Sequence, residues 1–175
     1  MTTPGEYDLV EESDRGCVLL GAAILEERIE EVFCLAFDRN GISKKLQKSL
    51  FGSNGPLSTF SSKIKLAYSF GFVPKHVYED LDAIRRIRND FAHTSQEVDF
   101  LKSDTAETIE NLNCTQEVKD KMPRYSPSSG ETASEAELRV AGYIKRAKSL
   151  FALGVRSLEV DLLRAQAALG KGPCA

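Results

Sequence analysis

The sequence predicts an all-α fold, a single helical-bundle domain with two long helices and several shorter ones. Apolar residues recur at three- and four-residue spacing along most of the chain. No segment shows the strict alternation of a half-buried strand. With 175 residues, 42% of them hydrophobic and 28% charged, the chain has the composition of one soluble domain. We expect the domain to span residues 1–170 and residues 171–175 to form a flexible tail.

The first long helix should run from about Ser13 to Phe37. Ser13 is a suitable N-cap, and Asn40-Gly41 is a suitable stop. The stripe expected to face the core comprises Leu19, Ala22, Ala23, Leu25, Ile29, Val32, Phe33 and Ala36. Glutamates fill the opposite face of this helix.

The middle of the chain should contain shorter helices separated by turns. We expect helices over residues 43–50, 61–70 and 75–92. Residues 51–56 are rich in turn formers, Gly71 ends the second of these helices, and Pro74 suits the start of the third. The residues predicted on the buried side of the second are Phe60, Ile64, Ala67 and Tyr68.

The C-terminal part should end in the second long helix. Two short helices are expected near residues 104–112 and 115–121, followed by a surface loop at 122–132. The last helix should span about 134–168. The residues expected on its buried side include Leu138, Ala141, Ile144, Ala147, Leu150, Phe151, Leu153, Val155, Leu158, Leu162 and Leu163.

Charge is strongly segregated along the chain, although the net charge is only -3. Residues 39–78 contain no carboxylate side chain at all. This stretch either neutralises the acidic first helix inside the fold or forms a basic patch for an anionic partner, such as nucleic acid or an acidic protein surface. The candidate binding residues are Arg39, Lys44, Lys45, Lys48, Lys63 and Lys65, with Arg85 and Arg86 from the next helix.

The segment Arg88-Asn89-Asp90-Phe91-Ala92-His93 carries the clearest chemical motif. A histidine can move a proton, and an arginine can stabilise charge on phosphorus, so Arg88, Asn89 and His93 could form a metal-free ribonuclease site. The same residues could instead be polar packing between helices. Arg88 and His93 would point about 140° apart on a straight helix, so they converge only if the helix ends there or two copies meet in a dimer.

Other signatures are absent from the sequence. No Walker A loop, dinucleotide-binding motif, zinc-protease motif or helix-turn-helix is recognisable. The four cysteines are widely spaced and indicate reduced thiols rather than a disulfide or zinc framework. The longest apolar run is far shorter than the ~20 residues of a membrane span, and no secretory signal is visible. We therefore expect a cytoplasmic protein with no cofactor and no metal.

Two stretches together resemble a known family. Residues 51–72 resemble the central signature of the mannitol operon repressor family, and residues 80–93 resemble its second signature; the similarity covers about residues 17–100. This resemblance implies an all-helical bacterial cytoplasmic regulator without a recognisable DNA-binding motif. The Arg-Asn-x-x-x-His pattern also resembles the HEPN superfamily, many of whose members are dimeric, metal-independent ribonucleases.

These observations predict a transcriptional regulator of the mannitol operon repressor type that acts through another protein and is a homodimer. The alternative is a HEPN-type endoribonuclease that uses Arg88, Asn89 and His93. Contact with nucleic acid through residues 39–78 is a further possibility. The alternatives differ in whether His93 is needed for RNA cleavage and in how steeply DNA affinity depends on salt.

Overall fold

The computed structural model describes residues 8–93, 99–100, 103–124, 126–127 and 129–170. These residues form seven α-helices and one short 3₁₀ helix, with no strand among them, so the predicted all-α class is confirmed. The helices are α1 (Asp14–Arg39), α2 (Lys44–Phe51), α3 (Phe60–Ser69), α4 (Lys75–His93), α5 (Ser103–Glu110), α6 (Gln116–Lys119) and α7 (Ala133–Gly170), and the 3₁₀ helix spans Asn113–Thr115.

Helix starts follow the capping residues in the sequence. The side chain of Ser13 accepts a hydrogen bond from the Gly16 amide at 3.0 Å, and Ser43 starts α2 in the same way. Thr59 and Ser62 form a reciprocal capping box at the start of α3. Just beyond the end of α3, Gly71 has a φ of 72°, a left-handed conformation that glycine adopts at little cost.

The two long helices, α1 and α7, lie side by side and run in the same direction. Asp14 pairs with Lys148 at one end, and Arg39 donates to the Leu169 carbonyl at the other. Between them, Arg28 donates to Glu159 at 3.0 Å in a buried ion pair. The first and last helices of the chain therefore pack along most of the length of α1.

A glycine on α1 allows this close packing. A Cβ atom built on Gly21 would lie 2.9 Å from Phe151 Cε1 and 3.0 Å from Val155 Cγ2. Both atoms belong to buried side chains of α7. A larger side chain at residue 21 would therefore push the long helices apart.

The central helix α4 is a core element. It packs against α1 and α3, and it also contacts α7 and the 3₁₀ helix. Its buried residues extend from the first turn to the last and comprise Val77, Asp80, Leu81, Ala83, Ile84, Ile87 and Phe91. The polar end that carries Arg88, Asn89 and His93 is thus fixed by a buried helix.

Several predicted core residues are exposed. Tyr68 on α3 and Leu153 on α7 are at the surface, and Leu138 is 71% exposed. Leu19, Ala23 and Ala141 are also exposed. The helical period was predicted correctly at these positions, but none of the described elements covers them. The predicted tail, 171–175, lies outside the described residues.

The short predicted helices differ most from the structure. The first ends at Glu110, and the second is divided into the 3₁₀ helix and the four-residue α6. Asp80 explains the 3₁₀ helix, because its carboxylate accepts hydrogen bonds from the amides of Asn113 and Cys114, both at 2.8 Å. The carboxylate is 2% exposed and is satisfied by these contacts.

Candidate interaction surface

Arg88, the first residue of the predicted ribonuclease motif, is held by neighbouring helices. Its guanidinium lies 3.8 Å from the Glu26 carboxylate on α1 and 5.9 Å from the ring centroid of Phe60 on α3. The side chain is about two-thirds buried. Arg88 therefore links three helices.

The other two motif residues lie apart from these contacts. His93 is the last residue of α4 and is exposed, while Asn89 is half-buried. Neither side chain forms a hydrogen bond with another described residue. In particular, no hydrogen bond joins His93 to Arg88. The structure thus brings Arg88 together with Glu26 and Phe60 and leaves His93 at the surface.

The basic stretch divides into buried and exposed residues. Lys63 is 6% exposed, and its ammonium group lies 3.1 Å from Glu26 and 2.8 Å from Glu30. It also lies 5.9 Å from the ring centroid of Phe51. Lys63 therefore neutralises acidic residues of α1 inside the fold. This agrees with the first of the two interpretations of the basic stretch.

Burial and hydrogen bonding act on Lys63 in opposite directions. Burial lowers the pKa of the ammonium group, but the hydrogen bonds to Glu30 and Glu26, with their charges, raise it by more in total. The pKa of Lys63 therefore lies above its ordinary value, and the residue is held in its charged form.

Four other candidate cations already have partners. Arg39 donates to the Leu169 carbonyl, and Lys44 pairs with Asp38 at 2.6 Å. Arg85 and Arg86 lie on α4, and both pair with Asp82 on the same helix. Lys44 and Arg86 keep most of their side chains exposed, so these two can still face a partner.

Three of the candidate lysines form no ion pair with another described residue. Lys45 and Lys48 are exposed on α2, and Lys65 is exposed on α3. Because no carboxylate within the described residues pairs with them, these three lysines are the candidate cations most accessible to an anionic partner.

Aromatic rings stand next to Lys65. Tyr68 is on the same side of α3, one turn further on, and stacks on Tyr78 with ring centroids 4.8 Å apart. Phe70 follows at the end of α3 and is 60% exposed, and its ring centroid lies 5.8 Å from that of Phe72 and 6.4 Å from that of Phe33 on α1. We call the group formed by Lys65, Tyr68, Phe70 and Tyr78 the α3 surface.

The sequence interpretation missed the aromatic part of the α3 surface. It placed Tyr68 on the buried side and assigned no role to Phe70. The available signal was the position of Phe70 at the end of α3, because a helix end is covered by fewer neighbouring elements than the middle of a helix, although the ring of Phe70 still contacts that of Phe33 on α1.

A cavity of about 280 Å³ lies between α4, α5 and the 3₁₀ helix. Its lining mixes acidic side chains, Glu79 and Glu107, with Arg86 and several amides. Across the described parts of the chain, no group of three or more His, Cys, Asp or Glu side chains could hold a metal ion. No helix in those parts is both long and apolar enough to span a membrane.

The described residues define the class of the fold, which is an all-helical bundle. The family model described as mannitol repressor matches residues 10–162, which is most of the chain. The chain belongs to the mannitol repressor family, and the resemblance found in residues 51–72 and 80–93 is confirmed.

Individual relatives agree with this assignment. Mannitol operon repressors from Escherichia coli K12 and from Escherichia coli O6:H1 CFT073 are each 21% identical over 145 residues, covering 82% of this chain and 72% of theirs. A chain in the X-ray structure of the MtlR-HPr complex from Escherichia coli has a TM-score of 0.73 at 19% identity. That match covers 88% of this chain and 95% of the other, and it supports the fold.

Proposed function

We propose that this chain is a cytoplasmic transcriptional regulator of the mannitol repressor type, without enzymatic activity, that acts by binding another protein rather than by reading DNA bases. The observation that carries this proposal is Phe70, a large aromatic residue that is 60% exposed at the end of α3, two residues after Tyr68, whose ring stacks on Tyr78. Exposed aromatic residues are typical of the centres of protein interfaces.

The position of α4 argues against direct reading of DNA. In a helix-turn-helix protein the second helix presents one face to the major groove. Here α4 follows the turn at Gly71 and would be that second helix, but it buries residues along its whole length between other helices. A helix held in this way has little surface for base contacts.

The engagement of Arg88 argues against the ribonuclease alternative. A catalytic arginine has to be available to a phosphate, whereas Arg88 packs over Phe60 and faces Glu26. Cleavage would require Arg88 to leave both contacts and approach His93. A structural role for Arg88 needs no such change.

The structural relative was solved as an MtlR-HPr complex, so HPr is the first partner to test for this chain. We propose that the partner meets the α3 surface. Its contact area should combine apolar groups, which would cover Phe70 and Tyr68, with carboxylates that approach Lys65. Lys45 and Lys48 on α2 would add longer-range attraction.

The test is isothermal titration calorimetry of the purified chain with HPr from the same organism. We expect binding that weakens by roughly tenfold or more in Phe70→Ser, because an aromatic residue at an interface centre contributes strongly to affinity. Leu153→Ser is the matched control, since Leu153 is an exposed leucine on α7, and it should leave binding unchanged.

The two parts of the proposal can fail separately. No binding of HPr by the wild-type chain would reject this partner. Equal binding by wild type and Phe70→Ser would reject the α3 surface as the contact. Repression of a mannitol-operon reporter in cells, compared between the same variants, shows whether the contact is used in regulation.

A further inference from the structure

The N-terminal segment of α7, residues 133–145, has an apolar face that no other described element lines. The buried residues of α7 begin at Arg146, and none of residues 133–145 is buried. All the residues that line the face belong to α7 itself, and they are Ala136, Glu137, Val140, Ala141 and Ile144. A helical segment of ~13 residues is marginal in water without tertiary packing, so a covering element would stabilise this one.

The uncovered face points in the direction in which α1 lies further along α7. Lys148 pairs with Asp14, and Phe151 and Val155 pack against Gly21. At about 100° per residue, the centre of the five lining residues and the centre of these three α7 residues differ by only about 20° around the helix. The face therefore continues the contact between α1 and α7 beyond the first turn of α1.

The chain enters α1 at the end of this face. The two long helices are parallel, and α1 begins at Asp14, which lies beside Lys148, one turn after Ile144. Lys148 also donates a hydrogen bond to the Glu12 carbonyl. The residues that directly precede α1 are therefore held where the uncovered face of α7 begins.

The described residues just before α1 stay on the bundle. Leu9 is 5% exposed, and Val10 is partly buried against the hydrophobic core. Residues 1–7 come before them in the sequence and lie outside the described residues. Seven extended residues reach about 23 Å, whereas the face from Lys148 to Ala136 is about 18 Å long. The segment is therefore long enough to cover the face, and its apolar residues are Met1, Pro4 and Tyr7.

We propose that residues 1–7 form a strap that covers the apolar face of residues 133–145 in the same molecule, with Tyr7 against Val140 and Ile144. The strap takes the place of α1 along the first turns of α7 and holds them in helical form. None of these residues belongs to the α3 surface, so the strap holds or fails independently of partner binding there.

The chain contains no tryptophan, so a single introduced tryptophan can report on the strap. Tyr7→Trp should emit at a shorter wavelength than Leu138→Trp, because α7 covers the first ring, whereas the second replaces a side chain that is 71% exposed. Leu138 lies about 130° around α7 from the centre of the face and is therefore an exposed reference on the same segment. Circular dichroism confirms that both variants are folded.

A second substitution locates the contact. In the Tyr7→Trp background, Val140→Asp should shift the emission to the longer wavelength of Leu138→Trp, because a carboxylate on the face opposes burial of the ring. The matched control Val160→Asp changes an exposed valine of α7 outside the face and should leave the emission unchanged.

Amide hydrogen exchange measures what the strap does for α7. Tyr7→Ser should lower the protection of the amides of residues 137–145 by about tenfold, because the ring no longer covers the segment. The amides of residues 150–162, in the packed part of α7, should keep their protection and are the internal control.

Three results would overturn the proposal. Equal emission from Tyr7→Trp and Leu138→Trp shows that the ring is not covered. A short-wavelength emission that Val140→Asp leaves unchanged, or unchanged exchange in Tyr7→Ser, places the ring away from the face. Emission or protection that changes with protein concentration assigns the cover to a second copy, since a contact within one molecule does not depend on concentration.

Discussion

Lys63 and Lys65 stand two residues apart on α3 but have opposite environments. Lys63 is 6% exposed and lies between the carboxylates of Glu26 and Glu30, whereas Lys65 is exposed and has no ion pair among the described residues. The sequence interpretation grouped both as binding candidates. The comparison shows that a run of like charge can contain both buried, ion-paired residues and exposed residues. The side of the helix on which a lysine lies determines whether it is buried or exposed.

Removing the buried lysine should produce the largest effect. Lys63→Ala leaves Glu26 and Glu30 close together without their shared cation, and we expect the free energy of unfolding to fall by about 2–3 kcal/mol. Urea denaturation measures this loss. Lys65→Ala is the matched control and should stay within about 0.5 kcal/mol of the wild type. Similar losses in both variants would contradict the comparison.

Alkaline pH should remove the same stabilisation. The pKa of Lys63 is raised above its ordinary value of 10.5 in the folded state, so its contribution is complete below that pH and is lost as pH rises through the folded pKa. The difference in unfolding free energy between wild type and Lys63→Ala should therefore be constant near neutrality and shrink at strongly alkaline pH. A difference that stays constant there would rule out the ion pairs as its source.

Replacing Glu26, one of the two carboxylates that bind Lys63, should reduce the free energy of unfolding by less than Lys63→Ala does. Glu26→Gln removes one of two partners from Lys63 and the carboxylate near Arg88, and we expect a loss of about 1 kcal/mol because Glu30 remains. Glu27→Gln changes the next residue, which is exposed, and should be neutral in the same thermal or urea unfolding experiment. A larger loss for Glu27→Gln would place the important carboxylate elsewhere.

Reversing the exposed lysine should affect binding without affecting stability. Lys65→Glu should change the free energy of unfolding by less than about 0.5 kcal/mol and weaken partner binding about three- to tenfold, mainly through slower association. Surface plasmon resonance at two salt concentrations measures both the rate and its salt dependence. Unchanged association would remove Lys65 from the contact.

The smallest effect is expected at His93. His93→Ala should leave stability unchanged because the side chain is exposed. We also expect that neither wild type nor variant cleaves single-stranded RNA in EDTA. His76→Ala, at another exposed histidine of α4, is the control. Cleavage by wild type and His76→Ala but not by His93→Ala would replace the regulator proposal with a ribonuclease.

The sequence predicted the elements better than their environments. The cap at Ser13 and the stop at Asn40-Gly41 are local signals, so the first long helix was placed within two residues of its observed ends, as was the last helix from its apolar periodicity. Leu138 was predicted to be buried because periodicity marks an apolar face but does not show whether another element covers it. The pairing of Lys63 with Glu26 was left open because it joins residues far apart in sequence.

The parallel contact of α1 and α7 has a consequence for how the chain folds. Arg28 and Glu159 are separated by 131 residues in the sequence. The contact between α1 and α7 therefore closes a loop that contains all the helices from α2 to α6. Small helical bundles usually fold fast because their contacts are local, and this one should fold more slowly. During synthesis, the apolar face of α1 stays exposed until α7 has been made. A chain that terminates early would keep this face exposed and would be prone to aggregate.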